Sequence, residues 1–193
     1  MATDTRTRML DTTARLLQQR GYHGTSLNDI LVASAAPRGS LYFHFPGGKD
    51  QLVVEASRVA VDRVTQHRRE VLAAASSPAA AVRAFADGMV LLLKETDYQL
   101  GCPIAPIVLD GTSEVTELSE LCRRTFEEWI GLLRESFAKA GIAKQRAEAL
   151  ALLMQSSFEG ALLIARAYRD SSPVLTVAGE VEAMVAAATP PAA

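Results

Sequence analysis

Apolar side chains recur along nearly the whole chain at three- and four-residue intervals, the period of helices with one buried face. No stretch alternates with the two-residue period of a strand. The pattern predicts about nine helices. The first spans about 5–20, with Met9, Leu10, Thr13, Leu16 and Leu17 on one side, and stops at Gly21, a favourable C-cap residue. Two short helices follow at about 26–34 and 37–43. Thr25 is placed to cap the earlier one, in which Leu27, Ile30 and Leu31 share a face. Pro37 suits the first turn of the later one, where no backbone donor is needed. Leu41 and Phe45 should turn to the core while Arg38, Gly39 and Ser40 face outward.

Beyond this head the helices lengthen. One runs from Lys49 to about 75, and Ser77-Pro78 opens another to about 95. Residues 97–102 read as a loop, and Pro103 opens a short helix to about 110, kinked or interrupted by Pro106. Ser113, with Thr116 and Glu117, opens a long helix that ends at Gly141. The last two span about 143–170 and 173–188, the latter announced by Ser172-Pro173, before a frayed tail from Thr189. The expected fold class is all-α: a three-helix helix-turn-helix domain at 1–48, a linking helix at 49–75, and a helical bundle at 76–193, which the resemblance described below makes a ligand-binding and dimerisation domain.

Composition narrows the function. Of the 193 residues, 49% are hydrophobic, ample for a core, and no apolar run reads as long enough to span a bilayer, so no membrane partner is expected. The first residues lack the apolar stretch of a signal peptide, which places the chain in the cytoplasm as an expectation. Cys102 and Cys122 fit neither a disulfide framework nor a zinc spacing and read as buried thiols. Charge is uneven: residues 1–50 hold six Lys/Arg and four Asp/Glu, net +2, against fourteen and eighteen, net −4, in the remainder. A weakly basic head on an acidic body suits a protein that touches nucleic acid with one end. An enzyme is disfavoured. His23, His44 and His67 belong to no nucleophile or metal motif, and Cys102 has no base adjacent in sequence, so no catalytic residue, metal or cofactor is assigned.

The segment Gly39-Ser40-Leu41-Tyr42-Phe43-His44-Phe45, with Lys49 and Leu52, resembles the helix-turn-helix signature of TetR-type transcriptional regulators. Met9-Leu10, Thr13, Leu16-Leu17 and Gly21-Tyr22 resemble that family's first helix and its exit. Pro46-Gly47-Gly48 is one residue longer than the commonest family form and is similar to the LmrA/YxaF-like branch. So are Gly101-Cys102-Pro103 and the run from Phe158 through Ala167. The resemblance implies a dimeric DNA-binding regulator, commonly a repressor, that releases a palindromic operator on double-stranded DNA when a small apolar or aromatic effector binds. The alternative is a regulator of the same fold that answers to a protein partner.

Affinity would come from phosphate neutralisation and sequence from base edges. Thr25, Ser26 and the helix behind them could hold a phosphate, and Lys49 another. Arg38 suits the O6/N7 pair of guanine, Gly39 permits close approach, and Ser40 could reach base or phosphate. Pro37 replaces the family's more usual serine and so removes a hydroxyl. Tyr42 and His44 resemble backbone-contacting positions; packing roles for both remain open, as does a purely capping role for Thr25. The resemblance also implies a ligand pocket among Phe85, Met89, Leu92, Ile104, Ile107, Val108, Phe126, Trp129, Leu133, Met154 and Phe158, although each of these also reads as bundle core. Gly160, Ala161 and Ala165, with Val177, Val181 and Met184, read as a dimer interface.

Overall fold

The computed structural model describes residues 4–111 and 115–191. Nine helices and no strand stand among the described residues, as the all-α expectation required. They are α1 (Thr5–Arg20), α2 (Leu27–Ala33), α3 (Arg38–His44), α4 (Gly48–Ala74), α5 (Pro78–Glu95), α6 (Ala105–Leu109), α7 (Thr116–Lys139), α8 (Lys144–Tyr168) and α9 (Ser172–Ala188). The expected opening residue Ser113 and the last two residues of the tail lie outside the described residues.

Several ends differ from expectation, for local reasons. Ser26, not Thr25, caps α2: its hydroxyl accepts from the Asp29 amide at 3.1 Å while the Asp29 carboxylate accepts from the Ser26 amide at 3.1 Å, a reciprocal capping box. Pro37 is the extended N-cap of α3, so the helix begins one residue later than expected. Pro103 does not open α6. That helix starts at Ala105, and Pro106 falls in its first turn, where a missing N–H costs nothing, so it makes no kink. Gly48, at φ +69°, opens α4 in a conformation that L side chains rarely adopt.

The chain divides into two compact units. The described residues up to Val64 pack with those of 102–125, and residues 65–101 pack with those from 126 onward. This is a different partition from the functional division drawn at 48 and 76. In the first unit Met9, Leu10, Ala14 and Leu16 of α1, Ile30 and Leu31 of α2, Leu41 and Phe45 at α3, and Leu52, Ala56 and Ala60 of α4 form one apolar core. α6 packs against α1 in the same unit.

In the second unit α9 lies against α5 and α8. Its valines 174, 181 and 185 are buried in that unit's own core, and Val177 packs against it. The face expected to await a second protomer is therefore mostly spent within one chain. α8 also corrects the reading that no apolar run reaches bilayer length. By length and composition it could cross a bilayer, but 44% of the apolar stretch is buried, which marks a core helix whose other side also carries leucines.

The capping box gives a stability prediction. Hydrogen bonds from Ser26 hold the Asp29 carboxyl below its ordinary value of 3.8. Folding thus favours the ionised form. That contribution is complete above the ordinary value and is lost as pH falls through the depressed one. Ser26→Ala should cost about 1 kcal/mol of stability at neutral pH. Urea midpoints at constant slope should reveal the loss, and the gap from wild type should narrow on acidification.

Candidate nucleic-acid interface

α3 is seven residues long, and two apolar positions four apart decide which way it faces. Leu41 and Phe45 are fully buried. Pro37, Arg38, Gly39, Tyr42 and Phe43 are exposed, and Ser40 and His44 are half-buried. At 100° per residue, Arg38 and Tyr42 form one outward row and Gly39 and Phe43 the next. A Cβ at Gly39 would meet nothing within 4 Å, so this side of the helix is open. The Arg38 guanidinium donates to Asn28 Oδ1 of α2 at 3.2 Å, which steadies a long side chain across the α2–α3 angle. Ser40 donates its hydroxyl to the Pro37 carbonyl at 2.6 Å. Tyr42 is 63% exposed, so the packing alternative for it does not apply. His44 stands edge-on to Phe43, with ring centroids 4.9 Å apart, and packs partly into the head.

Two of the expected phosphate contacts are otherwise engaged. Thr25 is fully buried and donates its hydroxyl to the Gly21 carbonyl at 2.7 Å, so that group closes a turn and does not face DNA. Lys49 reaches back to the Tyr22 carbonyl at 3.1 Å, with its ammonium 4.1 Å from the centre of the Tyr22 ring. Burial lowers its pKa, an effect partly opposed by Asp50. Lys49 therefore anchors α4 to the turn after α1. Ser26 is exposed at the start of α2, as an anion contact would need, though its side chain is committed to Asp29.

Phe43, 81% exposed, was missed as a candidate, and so was Val32, 72% exposed. Periodicity could have found Phe43. It lies two residues from both Leu41 and Phe45, about 200° around the helix, so burying those two expels it. An exposed phenyl ring on α3 can meet a thymine methyl group.

The eleven ligand candidates are divided between the two units, eight of them in the second. Phe85, Leu133, Met154 and Phe158 are core, with Met89 packed against it. Leu92 and Phe126 are half-buried, Phe126 edge-on to Trp129. Trp129 is buried, donates its indole N–H to Thr65 Oγ1 at 2.7 Å, and has the Arg68 guanidinium 4.2 Å from its ring. Arg68 in turn donates to Gln155, and Gln155 to Glu159, each at 2.8 Å. The indole face is thus already covered. Ile104 and Ile107 are fully buried in the first unit, and Val108 is exposed there. A cavity of about 450 Å³ does exist in the second unit, lined by the end of α4, the start of α5 and the last turns of α7. Leu72, Ala75, Ala81 and Leu132 line it, with Arg69 and Lys139 at its polar parts; none of the eleven candidates does. The signal missed in the sequence was the Ser76-Ser77-Pro78 break, which separates two helices enough to leave a gap.

The dimer candidates also divide. Ala161, Ala165 and Val181 are buried within the chain and cannot meet a partner, while Gly160 is half-buried with open space beside it and Met184 is 39% exposed. Cys102 and Cys122 are buried, and burial pushes the Cys122 thiol up to about 11, far from a nucleophile's range.

This geometry agrees with comparisons to known proteins. Residues 9–56 match the tetR family of bacterial regulatory proteins, and residues 78–180 match the C-terminal domain of LmrA/YxaF-like transcriptional regulators. The HTH-type transcriptional regulator LmrA of Bacillus subtilis is 31% identical over 174 residues, covering 90% of this chain and 93% of LmrA. An HTH-type transcriptional regulator of Mycobacterium tuberculosis is 36% identical over 174 residues, 88% of each chain. Among solved structures, a cysteine mutant of the TetR family regulator CifR, complexed with a 26 bp double-strand operator DNA, superposes with a TM-score of 0.80 at 25% identity, over 95% of this chain and 97% of that one. Two matched regions, relatives aligned almost end to end and a helix-turn-helix with its outward face clear lead to one assignment: the chain is a DNA-binding transcriptional regulator and belongs to the TetR family, in its LmrA/YxaF-like branch.

Proposed function

We propose that this regulator is a homodimeric repressor that reads a palindromic operator with α3 and releases it when a small, largely apolar effector enters the second unit. The observation that carries the DNA-reading part is the outward row on α3. Arg38, Tyr42 and Phe43 are exposed on a helix whose opposite face is locked by Leu41 and Phe45. Arg38 is the base reader, Phe43 adds apolar contact, Tyr42 and His44 serve the backbone, and Pro37 and Gly39 let the helix sit deep in the groove. Ser26 is the remaining phosphate candidate at α2. The likeness to a regulator solved on operator DNA supports the same use of α3 here.

Dimerisation is supported by apolar side chains that one chain leaves in water. Leu152, Leu153, Leu163 and Ile164 of α8 are all at least 41% exposed, and Leu175 and Met184 of α9 join them. Gly160 lies among them without a side chain to hold a partner off. This set replaces Ala161, Ala165 and Val181. A two-fold pair would place two α3 helices for successive major grooves, about 34–36 Å apart. The effector reading rests on the 450 Å³ cavity, whose size suits a drug-like molecule. α4 runs unbroken from Lys49 in the head to Leu72 at that cavity, so it is the element through which occupancy would be felt.

Three measurements test this. Arg38→Ala should cost about 1–3 kcal/mol of operator affinity and relax preference at one position per half-site, read by binding to a set of single-base variants. Unchanged affinity and preference would remove Arg38 from base reading. Leu163→Glu should convert a sedimenting dimer to folded monomer, since the carboxylate would be buried without a partner across the two-fold axis. A variant that still sediments as wild type would place the interface elsewhere. Apolar compounds that raise the wild-type melting temperature should fail to do so in Ala73→Trp, which fills the cavity, while operator affinity without compound stays at the wild-type level. A shift that persists in Ala73→Trp would exclude this cavity.

A further inference from the structure

The connection between α1 and α2 is held from three directions. Gly21 ends α1 at φ 72°, ψ −170°, a conformation suited to glycine. Within the turn, the Thr25 hydroxyl closes onto the Gly21 carbonyl, and the Thr25 amide donates to the Tyr22 carbonyl at 3.3 Å. From α4, Lys49 donates to that same Tyr22 carbonyl, and the Asp50 carboxylate accepts the Tyr22 hydroxyl at 2.6 Å. The third hold comes from α6. Asp110, at the C-terminal end of that helix, accepts the His23 backbone N–H at 3.1 Å. Its carboxylate also occupies the notch that the missing side chain leaves: a Cβ at Gly21 would lie 2.1 Å from Asp110 Oδ2. A carboxylate at a helix C-terminus gains nothing from the helix dipole, so Asp110 is not there to stabilise α6. Among the described residues, the groups it meets, the His23 amide and the Gly21 notch, are in the turn that delivers the chain to α2 and α3.

We propose that Asp110 is a positioning residue for DNA binding: its carboxylate, seated in the Gly21 notch on the His23 amide, lets α6 set the direction in which the chain leaves α1 and so the pose of the recognition helix. The inference rests on the reading that α3 binds DNA. It assigns α6 a direct hold on the helix-turn-helix, separate from that of α4 through Lys49 and Asp50.

The sign of the effect distinguishes positioning from bulk electrostatics. Removing a negative charge from a DNA-binding head should by itself tighten binding. Positioning requires the opposite for Asp110→Ala and little change for Asp110→Asn, which keeps an acceptor oxygen. The probe is a duplex enriched by the wild-type protein from a random-sequence library. Asp110→Ala should weaken binding about tenfold with an unchanged salt slope, the scale expected for one lost hydrogen bond to a charged group. Its His23 amide should exchange with deuterium about tenfold faster than in wild type. Asp110→Asn should restore both. If Asp110→Ala binds as tightly as wild type or tighter, or if Asp110→Asn is as weak as Asp110→Ala, the inference falls while the DNA-binding reading stands. If wild type enriches no duplex, both fall. The wild-type protein alone supplies a check that needs no folded variant: a His23 amide exchanging at the rate of an unprotected loop overturns the proposal.

Discussion

A helix of seven residues is too short to persist on its own hydrogen bonds, because nucleation costs more than so few bonds return. α2 and α3 are both that short, and every functional claim about this chain depends on their being helical and correctly aimed. What holds α3 is the burial of Leu41 and Phe45 against α1, α2 and α4. Each fully buried apolar side chain of this kind contributes roughly 1.5–3 kcal/mol. What holds α2 is Ile30 and Leu31 on the same core, together with a capping box at its start. The outward display of Arg38, Tyr42 and Phe43 is the geometric complement of that inward packing.

The head's positive charge is less available than its count implies. Of the six cations in residues 1–50, Arg6 pairs with Glu55 and Lys49 is turned to Tyr22, and in α4 Arg63 pairs with Asp11 and Arg58 with Glu117. Exposed pairs of this kind contribute little to stability. In the proposed reading, recognition rests on where α3 is pointed, more than on a general attraction to polyanion.

The second unit illustrates what a one-dimensional stripe leaves open. Phe85, Met154 and Phe158 sit at helical spacing, and both a pocket wall and a core satisfy that spacing equally. Packing chose the core. The same unit holds the polar chain Arg68–Gln155–Glu159, with Trp129 donating to Thr65, and its buried members Arg68 and Gln155 are hydrogen-bonded to each other as buried polar groups must be. One open volume lies beside a helix–helix connection, where Ser76 and Ser77 interrupt the periodic pattern.

The sequence by itself determined the class of the fold, the order and type of the helices, the ends set by glycine, and the face of α3 that turns inward. These follow from periodicity and from residues with restricted backbone preferences, which act over a few positions. The tertiary structure decided the rest. Thr25 looked like a cap, but its neighbour Ser26 had Asp29 at the reciprocal distance and took the role. Lys49 read as a phosphate ligand, and only the folding of α4 beside Tyr22 showed that it also holds the turn after α1. Ala165 and Val181 looked like a dimer face, yet α5, α8 and α9 bury them within one chain. Asp110 carried no signal at all, since its partners lie 87 and more residues away in sequence. A helical stripe states that one face must be covered; which element covers it is settled only when all the elements compete for the same buried surface.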